Sequence, residues 1–135
     1  MMLPHLPSTV ALTPLVVWML VLTVKHVIAD FVLQSTWMAM GKDAKTGWAL
    51  PLLAHCAVHG VIATAIFALL VPRFWYFGLV DFVIHIIIDR AKGYCGNRFD
   101  LKPDKSEWFW TLIGVDQALH HLTDFGLALF VAGNP

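Results

Sequence analysis

Aspartate and histidine recur at a four-residue step inside every long apolar stretch: His26 with Asp30, His55 with His59, Asp81 with His85 and Asp89, Asp116 with His120 and Asp124. Residues four apart on a helix lie nearly above one another, so each stretch becomes an apolar cylinder carrying one polar stripe. Such a stripe cannot face hydrocarbon. A charged group at the centre of a bilayer costs about 2.5 to 3.5 kcal/mol, so five unpaired aspartates would cost on the order of 12 to 17 kcal/mol. That rivals the whole stability of a domain, about 5 to 15 kcal/mol. Helices of this kind must bundle, with their stripes turned inward.

The surroundings follow from composition. The 135 residues are 59% hydrophobic and 13% charged, whereas an ordinary soluble domain is about 25% charged. The sequence therefore predicts a single domain, residues 1–135, in contact with a lipid bilayer. A span needs about 20 predominantly apolar residues, which places spans at 14–34, 51–71, 75–92 and 105–131. Pro14 and Pro51 suit first helical turns, and Pro4 and Pro7 make the amino terminus irregular. The short link 72–76 forces an antiparallel hairpin. Residues 35–49 and 93–105 read as solvated loops, and Asp104 with Glu107 resembles a capping box. The expected fold class is an all-α integral membrane protein, a compact four-transmembrane-helix bundle, antiparallel and up-down, with inward-facing His/Asp stripes.

The apolar stretch 10–33 has neither a basic region before it nor a small-residue cleavage site after it, so it reads as a retained span and not a secretory signal. Trp37, Trp48, Trp108 and Trp110 would mark one interface, and Trp75 and Tyr76 the other. Lys42, Lys45, Lys92, Arg98, Lys102 and Lys105 fall on the first side, with Arg90 at its boundary; only Arg73 falls on the second. The positive-inside rule then puts both loops in the cytoplasm and both termini outside, in a bacterial inner membrane. A formal net charge of zero gives no case for a nucleic-acid partner, whose footprint is a basic patch. Cys56 and Cys95 are expected to be unpaired thiols, the first in the core and the second in a loop.

Depth along the predicted spans, at about 1.5 Å per residue, puts Asp30, His55 and His85 roughly 8 to 9 Å from the cytoplasmic surface and His26, His59, Asp81 and Asp116 roughly 14 to 15 Å from it. Ligands from all four spans thus share two layers. Imidazole and carboxylate without thiolate suit a divalent metal, zinc first, with manganese or iron open. The expected ligands are His55, His59, Asp81, His85, Asp116 and His120, with Asp30 or His26 as general base or second-site ligand. Asp89, Arg90, Lys92, Gln117, His121 and Asp124 are expected around them, Arg90 and Lys92 attracting an anionic headgroup and Asp124 orienting His120. Lys25 either reaches for a surface or neutralises a buried aspartate. The plainer alternative is that these groups hydrogen-bond one another and fix helix register.

The strings Lys25-His-Val-Ile-Ala-Asp30-Phe, Asp81-Phe-x-x-His85-x-x-x-Asp89-x-x-Lys92 and Asp116-Gln-x-x-His120-His121 resemble a small bacterial inner-membrane family described as a domain of unknown function. The resemblance implies four membrane helices and brings no reaction. A looser likeness is to membrane-bound metal-dependent hydrolases. Another is to membrane desaturases and hydroxylases, whose di-iron boxes His55-x-x-x-His59 and Gln117-x-x-His120-His121 fit, while the middle HxxHH box is missing.

The leading functional expectation is a metal-dependent hydrolase at the cytoplasmic leaflet, acting through a metal-activated water on a lipid-like or small ester or phosphoester substrate. The rival expectations are a metal or proton transporter, a di-iron oxidase or hydroxylase, and a structural subunit. The outer halves of the spans are nearly free of polar groups, which favours a one-sided pocket over a through-pathway. Homo-oligomerisation is left open.

Overall fold

The computed structural model describes residues 8–134. The expected irregularity at Pro4 and Pro7 lies outside the described residues. The described residues fold into five α-helices: α1 Leu12–Ile28, α2 Thr36–Gly41, α3 Ala49–Leu70, α4 Phe77–Arg98 and α5 Trp108–Gly133. Among the described residues there is no strand. The four long helices pack in sequence order, α3 against α4 and α5 against both α4 and α1. The link between α3 and α4 is a single 3-10 turn, Pro72–Phe74, short enough to make the two helices an antiparallel pair.

The tightest approach is between these two. A Cβ on Gly78 would run into the backbone of Thr64, and one on Gly60 would lie 2.8 Å from the Cβ of Phe82. Small residues at these crossings let the helix axes close up. At one end of the bundle Leu22, Phe67, Phe74, Phe77, Leu127 and Val131 form a continuous apolar core.

The other end is polar. Lys25, His26, His55, His59, Asp81, His85, Asp89, Asp116, His120 and Asp124 are all buried, whereas Leu20, Val61, Val83, Ile87 and Leu122 point outward. The usual distribution of a water-soluble domain is thus inverted in this half. Two helical segments, Leu12–Leu33 and Ala49–Leu70, are long and apolar enough to cross a membrane.

Three local expectations are corrected. Residues 35–49 are not simply a solvated loop: Ser35 Oγ accepts from the Met38 amide at 3.3 Å and caps α2, and Lys42 just beyond α2 is buried. Nor does a loop start at 93, because α4 runs on to Arg98 and places Cys95 in the helix. Asn97 stabilises that extension, donating to the Gly93 carbonyl at 2.8 Å and the Asp43 carbonyl at 2.7 Å. The capping box at Asp104 and Glu107 does not form. Glu107 stands at the N-cap position without a side-chain cap, and Ser106 Oγ receives the Trp108 amide at 3.3 Å. Nearby, Lys105 and Lys102 pair with exposed Asp100 and hold its carboxyl below the usual carboxylate range.

Candidate metal centre

The site begins where α1 changes its winding. Residues Ala29–Leu33 continue α1 as a π-helix, a distortion common at functional sites because it re-aims a side chain. Here it carries Asp30, and Gln34 donates to the Asp30 carbonyl at 3.0 Å, satisfying a helix-end acceptor. Asp30 Oδ1 lies 2.9 Å from His59 Nε2 and 3.6 Å from His55 Nε2 on α3, and Asp30 Oδ2 lies 3.1 Å from His26 Nε2.

The other half of the site is on α4 and α5. His85 Nδ1 or Nε2 joins two sets of donors: Asp30, His55 and His59 on one side, Asp89 and His120 on the other, each set with its ligand atoms within 4.8 Å of one another. The ring of His85 is 3.9 Å from that of His59 and 4.0 Å from that of His120, centroid to centroid. Four-coordinate zinc with bonds near 2.0 to 2.1 Å needs ligand atoms about 3.3 Å apart. The pairs at 2.9 and 3.6 Å bracket that spacing.

The sharpest feature is the gap between His120 and Asp89. His120 Nδ1 is 2.8 Å from the Asp116 carbonyl, which only accepts, so Nδ1 carries the hydrogen. His120 Nε2 then faces Asp89 Oδ1 at 3.9 Å, and both atoms are buried without a hydrogen-bond partner. Two acceptors so placed call for a shared donor or a cation between them, and Lys92 Nζ already lies 3.6 Å from Asp89 Oδ1. A backbone carbonyl on the far ring nitrogen is also how metal-binding histidines are held in the right tautomer.

Buried charge points the same way. Inside the bundle stand the carboxylates of Asp30, Asp81, Asp89, Asp116 and Asp124 and the ammonium groups of Lys25, Lys42 and Lys92. Acids outnumber ammonium groups there five to three, which leaves room for a further cation. At the rim Asp43 Oδ2 pairs with Lys92 Nζ at 3.3 Å, and Arg90 lies 3.8 Å over the ring of Trp48.

The sequence-predicted residues divide accordingly. His55, His59 and His85 are brought together with Asp30, and His85 and His120 with Asp89. Asp81 stands outside both sets, 3.0 Å from Lys25, and Asp116 borders the second, receiving Gln117 at 3.2 Å. Asp124 turns toward Lys25 at 3.5 Å and His26 at 3.8 Å instead of orienting His120. His121 is exposed, its ring 5.6 Å from that of His26. Lys25 is the neutralising partner of a buried aspartate and does not reach a surface.

One residue was not foreseen. Lys42 Nζ donates at 3.0 Å both to His55 Nε2 and to Asp89 Oδ2. The only sequence signal for it is the surplus of acids over bases within the apolar stretches. A cavity of about 250 Å³ opens beside these groups, lined by Asp30, Gln34, Lys42, His55, Asp89, Lys92, Gln117 and His120 among others.

Fold and site together define an all-helical protein with two helices able to cross a membrane and His/Asp clusters able to hold a metal. The chain belongs to the family described as protein of unknown function (DUF3307), which matches residues 17–130 and so spans every candidate site residue. No curated protein and no solved structure matches it.

Proposed function

We propose that this is a four-span membrane protein, its spans being α1 with the π-turn, α3, α4 and α5, that binds a divalent metal in its polar half and hydrolyses an ester or phosphoester at the cytoplasmic leaflet. The membrane part rests on the inverted distribution of polarity. Large apolar side chains face outward on all four long helices, including α4 and α5, whose acids are turned inward. An exposed apolar surface of that extent is a membrane or protein interface. Arg98, Lys102 and Lys105 lie at or just after the end of α4 that carries Asp89, and Lys45 precedes the end of α3 that carries His55, which favours the site's end of the bundle as cytoplasmic.

The observation that carries the metal reading is the unbridged pair His120 Nε2 and Asp89 Oδ1. His120, Asp89 and His85 would hold one ion, with Asp30, His55 and His59 as a neighbouring donor set; zinc suits these donors best, then manganese or iron. A bound divalent ion supplies a Lewis acid and a water ionisable near neutral pH. Asp30 and His26, in contact at 3.1 Å, are suited to take and pass on the proton of an attacking water.

A transport reading has one point in its favour, since polar groups continue deeper as Lys25, Asp81 and Asp124. Beyond them Leu22, Phe67, Phe77 and Leu127 pack into an apolar cluster. Such a cluster favours a one-sided pocket. Elemental analysis of protein purified in maltoside detergent tests the proposal: bound zinc, manganese or iron near one or two per chain is expected, and a chain free of metal that takes up none on dialysis refutes it. Release of phosphate or fatty acid from phospholipid vesicles then distinguishes hydrolysis from metal uptake into vesicles.

A further inference from the structure

Lys42 and Lys92 converge on the same carboxylate. Lys42 Nζ lies 3.0 Å from Asp89 Oδ2, and Lys92 Nζ lies 3.6 Å from Asp89 Oδ1. That second oxygen is the one facing His120 Nε2. Lys92 Nζ also lies 3.3 Å from Asp43 Oδ2, so a cation bridging Asp89 and His120 would compete for the one carboxylate that the two lysines share and add positive charge beside them. Both ammonium groups line the cavity, together with the amides of Gln34 and Gln117. With Asp89 shared between two ammonium groups and a divalent ion, an anion in the cavity would be attracted to all three.

We propose that Lys42 and Lys92 form the substrate's phosphate-binding site, created when a divalent ion takes Asp89. This deepens the metal reading above and rests on it. Two ammonium groups and a divalent ion around one small cavity would suit a doubly charged phosphate monoester. At about 250 Å³ the cavity is smaller than the roughly 300 to 1,000 Å³ of drug-sized pockets, so it admits a headgroup and leaves any chain outside. Phe31, 79% exposed, and Ile113 also line the cavity and offer an apolar path for such a chain.

The test is calorimetric titration of the detergent-solubilised full chain with inorganic phosphate and, separately, with dihexanoyl phosphatidic acid, before and after zinc loading. Binding at least tenfold tighter after loading is expected, and at least tenfold weaker binding in Lys42→Met and Lys92→Met at unchanged zinc stoichiometry. Lys42→Arg should restore most of it. Tighter binding of the phosphatidic acid than of phosphate would identify a lipid headgroup as the source, and equal binding a free phosphate; both support the site. Equal affinity with and without zinc, or in both methionine variants, overturns the inference while leaving the metal reading intact. Failure of the parent chain to bind zinc overturns both.

Discussion

The ammonium of Lys25 lies 3.0 Å from Asp81 Oδ2 and 3.5 Å from Asp124 Oδ1, tying α1 to α4 and α5 through one fully buried cation. Removing one partner of a buried pair leaves the other charge uncompensated, at a cost on the order of 3 to 5 kcal/mol. Lys25→Met should therefore lower the thermal unfolding midpoint in detergent sharply, and adding Asp81→Asn should recover part of the loss. A Lys25→Met protein as stable as the parent would show that the acids find other partners.

Leu122 is 63% exposed on α5, on the face away from Asp124. Facing lipid, a lysine there costs about 2.5 to 3.5 kcal/mol; facing water, a surface substitution stays within about 0.5 kcal/mol. Leu122→Lys should cut the yield of membrane-integrated protein, with Leu122→Ala near the parent. Equal membrane yield for both variants would count against the bilayer reading.

Metal removal should act on stability as well as on activity. An ion held at a hundred times its dissociation constant stabilises the folded state by about 2.7 kcal/mol. Chelation should lower the unfolding midpoint of the parent, and His120→Ala should abolish that difference because Nε2 faces the open gap to Asp89. His121→Ala, whose side chain is exposed, should keep the response. A chelator-insensitive parent would remove the structural support for a bound ion.

At Gly78 a Cβ would meet the Thr64 backbone, whereas at Gly114 it would meet nothing within 4 Å. Overpacking typically costs about 1 to 3 kcal/mol. Relieving a helical glycine in open space gains roughly 0.5 to 1 kcal/mol. Gly78→Ala should thus destabilise and Gly114→Ala should not, read from unfolding midpoints measured side by side. The same sign at both positions would mean that the α3–α4 crossing is looser than its glycines imply.

Helix positions were legible because two local rules agree. Apolar runs bounded by Pro14, Pro51 and Pro72 delimit the long helices to within a turn or so, and the four-residue step aims the acids and imidazoles of each helix to one side. The gathering of His55, His59 and His85 follows from the same step, because an inward stripe on every helix meets the others at the bundle axis. The local rules failed at helix ends. Asn97 reaches back to Gly93 and across to Asp43, extending α4 through a stretch whose composition reads as loop.

Which acid pairs with which base was beyond the sequence, because pairing depends on the rotation of each helix about its axis and on side-chain reach across the bundle. Asp81 and Asp89 share one stripe of α4, yet the first meets Lys25 from α1 and the second Lys42 from beyond α2. The sequence by itself determined that buried acids must be neutralised, since an uncompensated charge away from water is too costly to keep. Tertiary structure alone decided that three lysines do most of that neutralising and that the remaining gap lies between Asp89 and His120.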